Sequence, residues 1–203
     1  MLKIKEIIKN TIIIDKSEFI TNIYPVETVE EVNEILQQTR KKYYDATHNC
    51  YAYVLDNGNI QKASDDGEPS KTAGFPMLDV LKKMELTNIL AITTRYFGGI
   101  KLGAGGLIRA YSSSVSMALK DKKLYTTKKL MIYQITIPYH DYSKNIDFWS
   151  KQIIKNSQFA ADVILDIAFY EHQVDENLDK IKNLTLGKAL VKFLNNELVD
   201  VAV

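Results

Sequence analysis

Residues 94–111 read TRYFGGIKLGAGGLIRAY and pass through three patterns in succession. The apolar, β-branched run at 89–94 that leads into them is typical of a buried strand. The span 98–106 then holds five of the nine glycines in the chain. Apolar residues recur at helical spacing from Ala104 to Leu119. The sequence therefore predicts a strand, a glycine-rich connection and a helix, in that order.

The residues before this stretch alternate between strand and helix patterns. Runs rich in β-branched and aromatic residues predict strands at 11–14, 18–26, 50–55 and from Ile60 onward. Polar turn residues separate the members of each pair, which predicts two hairpins. Thr28 followed by Glu31 is a capping-box pattern, and it predicts a helix from about 28 to 42.

Residues 64–76 combine two glycines, two prolines and three carboxylates, so a loop is predicted there, with Pro76 opening a short helix. Carboxylates suit a hard cation or a general base, but their spacing here matches no known ligand motif. We therefore predict no metal site and expect an acidic cluster that locks the loop against the glycine-rich connection. Its members are Asp65, Asp66, Glu68 and Thr72. Their expected partners are Arg95 and Arg109.

The second half of the chain has a pattern of its own. Apolar periodicity lapses in the polar segment 121–129, which predicts a boundary between domains at 1–124 and 130–203. The later residues predict a strand at 130–137, a helix at 141–155 with Ile146, Trp149 and Ile153 inward, strands at 159–166 and 167–173, a helix at 175–185 and a C-terminal strand. This β-α-β-β-α-β order is ferredoxin-like, and the predicted fold class of the chain is α+β.

The composition is typical of a soluble globular protein, with 203 residues of which 46% are hydrophobic and 25% charged. No apolar run approaches the roughly 18 residues of a membrane-spanning helix, and no signal-peptide core is visible, so we expect a cytoplasmic protein without membrane attachment. Cys50 is the only cysteine, which excludes an intrachain disulfide. The net charge of +1 offers no argument for nucleic-acid binding by itself and indicates no DNA specificity.

Two strings, SDDGEPSKTAG at 64–74 and the stretch at 94–111, together resemble the signature of the YigZ/IMPACT family. The upstream ATHNCYAY at 46–53 and the ferredoxin-like tail are similar to the same family, so the resemblance covers nearly the whole chain. It implies a first domain similar to the second domain of a small-subunit ribosomal protein. The second domain is implied to be similar to the last domain of the translocation elongation factor. Lys71 departs from the pattern, because the family usually has glycine there.

The glycine-rich connection is the predicted binding site. Backbone N–H groups at a helix N-terminus attract anions, and glycine lets a phosphate approach because no Cβ intrudes. Basic side chains beside the glycines add positive charge. The predicted phosphate- or RNA-binding residues are Gly98, Gly99, Gly103, Gly105, Gly106, Arg95, Lys101 and Arg109. Close helix–sheet packing is the alternative role of the glycines, and the connection matches neither common nucleotide-binding glycine motif.

His48 and Cys50 lie two residues apart on a predicted strand and so face the same side, as a Cys-His nucleophile requires. No third group that would orient them is identifiable, and a lone cysteine is typical of a core. We therefore expect Cys50 to be structural. Alternating aromatic residues on a strand are usually core residues, so a core position, rather than a role as a platform for stacked bases, is predicted for Tyr51, Tyr53, Tyr96 and Phe97.

The family resemblance implies a role near RNA or ribosomes, since eukaryotic relatives regulate translation through an initiation-factor kinase pathway. We expect a cytoplasmic binding protein linked to translation, with RNA or a ribosome as its partner and with no cofactor and no catalytic residue. A small-molecule phosphotransferase or hydrolase is an alternative, because residues 102–107 loosely resemble the phosphate loop of GHMP kinases but lack its serines. A protein–protein adaptor is the third possibility that the sequence leaves open.

Overall fold

The computed structural model describes all 203 residues. The contacts divide the chain into two compact units, residues 1–126 with 202–203, and residues 127–201. Helices and a β-sheet occur in both units, so the predicted α+β class is confirmed. Residues 125–129 were expected to be part of a linker, but they begin a strand of the second sheet, β7 at Tyr125–Pro138.

The first unit is built on a sheet of five antiparallel strands. Its elements are β1 Leu2–Lys3, β2 Ile8–Ile14, β3 Ser17–Pro25, α1 Val29–Lys42, β4 His48–Leu55, β5 Ile60–Ser64, α2 Gly74–Lys83, β6 Ile89–Tyr96 and α3 Gly103–Leu119. The strands lie in the order β2-β3-β6-β4-β5, and β1 pairs with Tyr125 and Thr126. Thr28 caps α1 by accepting a hydrogen bond from the Glu31 N–H at 3.2 Å, as its sequence pattern predicts.

Helices cover both faces of this sheet, because apolar side chains point from its central strands in both directions. Cys50, Ala52 and Val54 of β4 belong to the core under α2 and α3. The alternate residues Tyr51 and Tyr53 join the core under α1. The sheet is therefore the middle layer of the unit.

The second unit has the ferredoxin-like element order. Its elements are β7 Tyr125–Pro138, α4 Tyr139–Lys144, α5 Ile146–Trp149, β8 Ile153–Phe159, β9 Asp162–Tyr170, α6 Val174–Leu184 and β10 Leu190–Ala202. β9 pairs antiparallel with both β7 and β8, and β10 lies beside β7. The core lies around Trp149, whose side chain is fully buried.

Two predictions in this unit are wrong in their boundaries. The expected helix at 141–155 is instead two short helices that end at Trp149, after which β8 begins at Ile153. The strands expected at 159–166 and 167–173 are one strand, β9. The helix prediction relied on three apolar residues at helical spacing, Ile146, Trp149 and Ile153. Ile146 and Ile153 are 46% and 40% exposed, and only Trp149 is buried.

Candidate anion-binding site

Asp65 organises the acidic loop through backbone hydrogen bonds. One carboxylate oxygen accepts from the Lys71 N–H at 2.7 Å, and the other accepts from the N–H groups of Ala73 and Gly74 at 3.0 and 2.9 Å. Ala73, at the start of α2, has no capping side chain of its own. Asp65 therefore caps α2, which explains why this helix begins at Gly74, two residues before the predicted Pro76.

Asp66 connects the loop to β4 and to α1, which lies on the opposite face of the sheet from α2. Its carboxylate accepts from the Asn49 N–H at 2.7 Å and from the Arg40 guanidinium at 3.3 Å. Thr72 donates to the Pro69 carbonyl at 2.6 Å within the loop. The partners of Asp65 and Asp66 are thus backbone groups and Arg40, where Arg95 or Arg109 had been expected.

Lys71 occupies a left-handed backbone conformation, with a φ of 62°. This region favours glycine, which accounts for the residue usual in the family at this position. Lysine is accommodated, and its N–H still bonds to Asp65.

Glu68 and Arg95 form a buried ion pair at 2.7 Å, with side chains 3% and 6% exposed. Glu68 Oε1 also accepts from the Tyr111 hydroxyl at 2.8 Å. The Arg95 guanidinium donates to Ser17 Oγ at 3.2 Å and lies 5.4 Å from the centre of the Phe19 ring. These contacts fix the guanidinium on several sides. Arg95 Nε, however, is buried and has no hydrogen-bond partner.

Arg95 and Glu68 line a cavity of about 380 Å³ that we call the α3 cavity. The other lining residues are Pro69, Phe97, Lys101, Leu102, Gly103, Ala104 and Leu107. Phe97 is 46% exposed, so its prediction as a core residue is wrong. The N-terminus of α3 therefore borders the cavity, and it has neither a capping side chain nor an acidic residue in its first turn. Free N–H groups at a helix start carry roughly half a positive charge.

The charge of this lining is close to +1, because Glu68 balances Arg95 and leaves Lys101 unbalanced. Arg109 lies in the second turn of α3 and is exposed, and it does not line the cavity. The structure therefore brings together two of the three predicted basic residues.

The five glycines of the connection occupy two different places. Gly98 and Gly99 precede α3, whereas Gly103, Gly105 and Gly106 belong to its first turn. A Cβ on Gly98 would lie 2.0 Å from the Lys16 backbone, so close packing requires glycine there. Gly103 has a φ of 67° and open space around it, so the left-handed backbone conformation, and not close packing, favours glycine there.

Cys50 is fully buried, and its thiol donates to the Asp65 carbonyl at 2.9 Å. Burial raises the pKa of the thiol, and the nearby Glu68 carboxylate raises it further. Burial likewise raises the pKa of the Tyr111 hydroxyl. His48 Nδ1 is held by the Asp66 carbonyl at 2.8 Å. The raised pKa keeps the Cys50 thiol protonated, which is the form that is not nucleophilic.

Sequence reasoning missed three residues of this site, Ser17, Arg40 and Tyr111. Each contacts a residue distant in the chain, so no local pattern points to the pair. The sequence contained one indication of the role of Tyr111, because a hydroxyl on the buried face of a predicted helix needs a hydrogen-bond partner.

The family described as the Impact N-terminal domain matches residues 15–119, which include the acidic loop and the glycine-rich connection. The chain belongs to the IMPACT family. The IMPACT family member YvyE of Bacillus subtilis is 42% identical over 93% of this chain and 88% of its own length. The IMPACT family member YigZ of Escherichia coli is 35% identical over 86% and 88%. A crystal structure of a hypothetical protein has 31% identity and a TM-score of 0.58, covering 96% of this chain and 97% of that one.

IMPACT family membership confirms the resemblance carried by residues 64–74 and 94–111. None of the helices is both long and apolar enough to cross a membrane. No group of three or more histidine, cysteine or acidic side chains is arranged to hold a metal ion.

Proposed function

We propose that this IMPACT-family protein binds RNA, free or within the ribosome, and holds a backbone phosphate in the α3 cavity. The observation that supports this proposal is that Arg95, Lys101 and the uncapped N-terminus of α3 border one cavity. A guanidinium, an ammonium and free N–H groups at a helix start are all donors that favour an anionic oxygen.

The Arg95 side chain is already ordered. It is 6% exposed and is ion-paired with Glu68. Glu68, Ser17 and the Phe19 ring hold the Arg95 guanidinium in place before a ligand arrives, so little side-chain ordering is needed on binding.

The charge balance favours an RNA phosphodiester over a nucleoside triphosphate. One phosphodiester carries a single negative charge, which matches a lining of about +1. A triphosphate would need several more cations or a metal ion. The role in translation that the sequence resemblance implies favours RNA as the source of this phosphate and a cytoplasmic site of action.

Titration of a fluorescent single-stranded RNA over a range of salt concentrations tests the proposal. Each phosphate contact contributes about −0.7 to the slope of log K against log salt. We expect Lys101→Ala to weaken binding and to reduce the slope by about 0.7. The matched control is Lys82→Ala, which removes an exposed lysine on α2 outside the α3 cavity and should leave the slope unchanged.

A folded Lys101→Ala variant that binds RNA with the parental affinity and slope would contradict the proposal. Arg109→Ala measured beside it shows whether that exposed arginine adds a contact at the rim. Ribosome binding that persists without any RNA affinity would instead identify a protein–protein adaptor. Magnesium-dependent turnover of ATP would identify the phosphotransferase alternative.

A further inference from the structure

A second cavity, of about 460 Å³, lies beside the C-terminal half of α1, on the opposite face of the first sheet from α3. We call it the α1 cavity. It is lined by Asn33, Leu36, Gln37, Arg40, Lys41, Tyr44 and Tyr51. None of these residues belongs to the α3 cavity.

The α1 cavity combines an aromatic ring, amide groups and cations. Tyr44 is 84% exposed, so its ring is accessible to a ligand, whereas Tyr51 is 8% exposed and forms a fixed wall. Asn33 and Gln37 each offer both a donor and an acceptor. Lys41 adds a positive charge at the last turn of α1.

The two cavities lie at the same end of the sheet, where β4 begins and β6 ends. The connection from α1 to β4 joins the end of β6 through a hydrogen bond of 2.8 Å from the Tyr96 hydroxyl to Asp45. The Phe97 N–H donates to Thr47 Oγ1 at 3.1 Å in the same connection. This short connection therefore links the linings of the two cavities, since Tyr44 belongs to one and Phe97, which bonds to Thr47, belongs to the other.

We propose that the α1 cavity binds one nucleobase of the RNA strand whose phosphate occupies the α3 cavity. Tyr44 stacks on the base, the amides of Asn33 and Gln37 hydrogen-bond to its edge, and Lys41 contacts the adjoining phosphate. This inference rests on the proposed function. An acidic protein segment would pair chiefly with Lys41, whereas a nucleotide uses the ring, the amides and the ammonium together, so the lining favours a base.

The test uses the full chain and single-stranded oligouridine, with an abasic oligomer of equal length as the second probe. We expect Tyr44→Ala to weaken oligouridine binding by at least about fivefold, the low end of the effect of losing one stacked base. Its salt slope should stay unchanged, because no charge is removed. Tyr44→Phe keeps the ring and should retain parental binding. Tyr139→Ala removes an exposed tyrosine of the second unit and is the matched control.

The abasic oligomer distinguishes a loss of base stacking from a general loss of RNA affinity. We expect parent and Tyr44→Ala to bind it equally, since it presents phosphates without bases. Equal oligouridine binding by parent and Tyr44→Ala, with a slope that still responds to Lys101→Ala, would overturn this inference and leave the proposed function standing. Absence of RNA binding by the parent would overturn both. A loss of ribosome binding in Tyr44→Ala without any change in oligouridine binding would show that Tyr44 contacts a protein partner instead of a base, and it would also overturn the inference.

Discussion

Replacing Glu68 by alanine should destabilise the first unit far more than removal of an ordinary surface carboxylate. The Glu68 side chain is 3% exposed, and its carboxylate accepts hydrogen bonds from Arg95 and Tyr111. Its loss leaves the Arg95 charge buried without a counter-ion, and that side chain is 6% exposed. Breaking one side of a buried ion pair costs about 3–5 kcal/mol.

Glu68→Gln separates the effect of charge from that of volume. Glutamine fills the same space and its carbonyl oxygen still accepts from Arg95, so we expect a loss between that of Glu68→Ala and zero. The exposed Glu34 of α1 provides the matched control, and Glu34→Ala should change the free energy of unfolding by less than about 0.5 kcal/mol.

Urea unfolding followed by two signals measures this effect. Trp149 is the only tryptophan and is buried in the second unit, so its fluorescence reports that unit, whereas far-ultraviolet circular dichroism reports both. With an m-value of about 2 kcal/mol/M, a loss of 3–5 kcal/mol lowers the midpoint of the first unit by about 2 M. We expect the Trp149 transition to keep its midpoint. An unchanged circular dichroism transition in Glu68→Ala would refute the reasoning that the ion pair is buried and coupled to stability.

Two further predictions concern Cys50 and the glycines. Cys50 should resist alkylation in the native protein and react in urea. Because its folded pKa is raised above the ordinary 9.0, its contribution to stability is present below pH 9 and is lost as the pH rises. The free energies of unfolding of the parent and Cys50→Ser should therefore differ less at high pH. Rapid native alkylation would contradict this. Gly98→Ala should lower the thermal midpoint, since its Cβ would meet the Lys16 backbone, while Gly105→Ala should stabilise α3 by up to about 1 kcal/mol. Equal midpoints for these two variants would show that Gly98 has no packing role.

Local sequence patterns predicted most elements of the first unit, because its strands have alternating apolar residues and its helices have apolar residues at helical spacing. The capping box at Thr28 and the strand before residues 94–111 are examples. The pattern was ambiguous at 141–155, where apolar residues at helical spacing end in the β-branched pair Ile153-Ile154. Pairing with β9 places that pair in a strand, and local spacing does not report such pairing.

The sequence by itself determined the family, the α+β class and the two segments that meet at the site, since these depend on residue types and short spacings. The structure was needed to exclude Arg109 from the α3 cavity, because burial of Leu107 and Ala110 turns Arg109 toward solvent. Only the tertiary structure decided that Glu68 pairs with Arg95 under the Tyr111 hydroxyl and leaves one buried donor unpaired. Such pairings join residues far apart in the chain, so packing of the whole unit selects them and no local preference does.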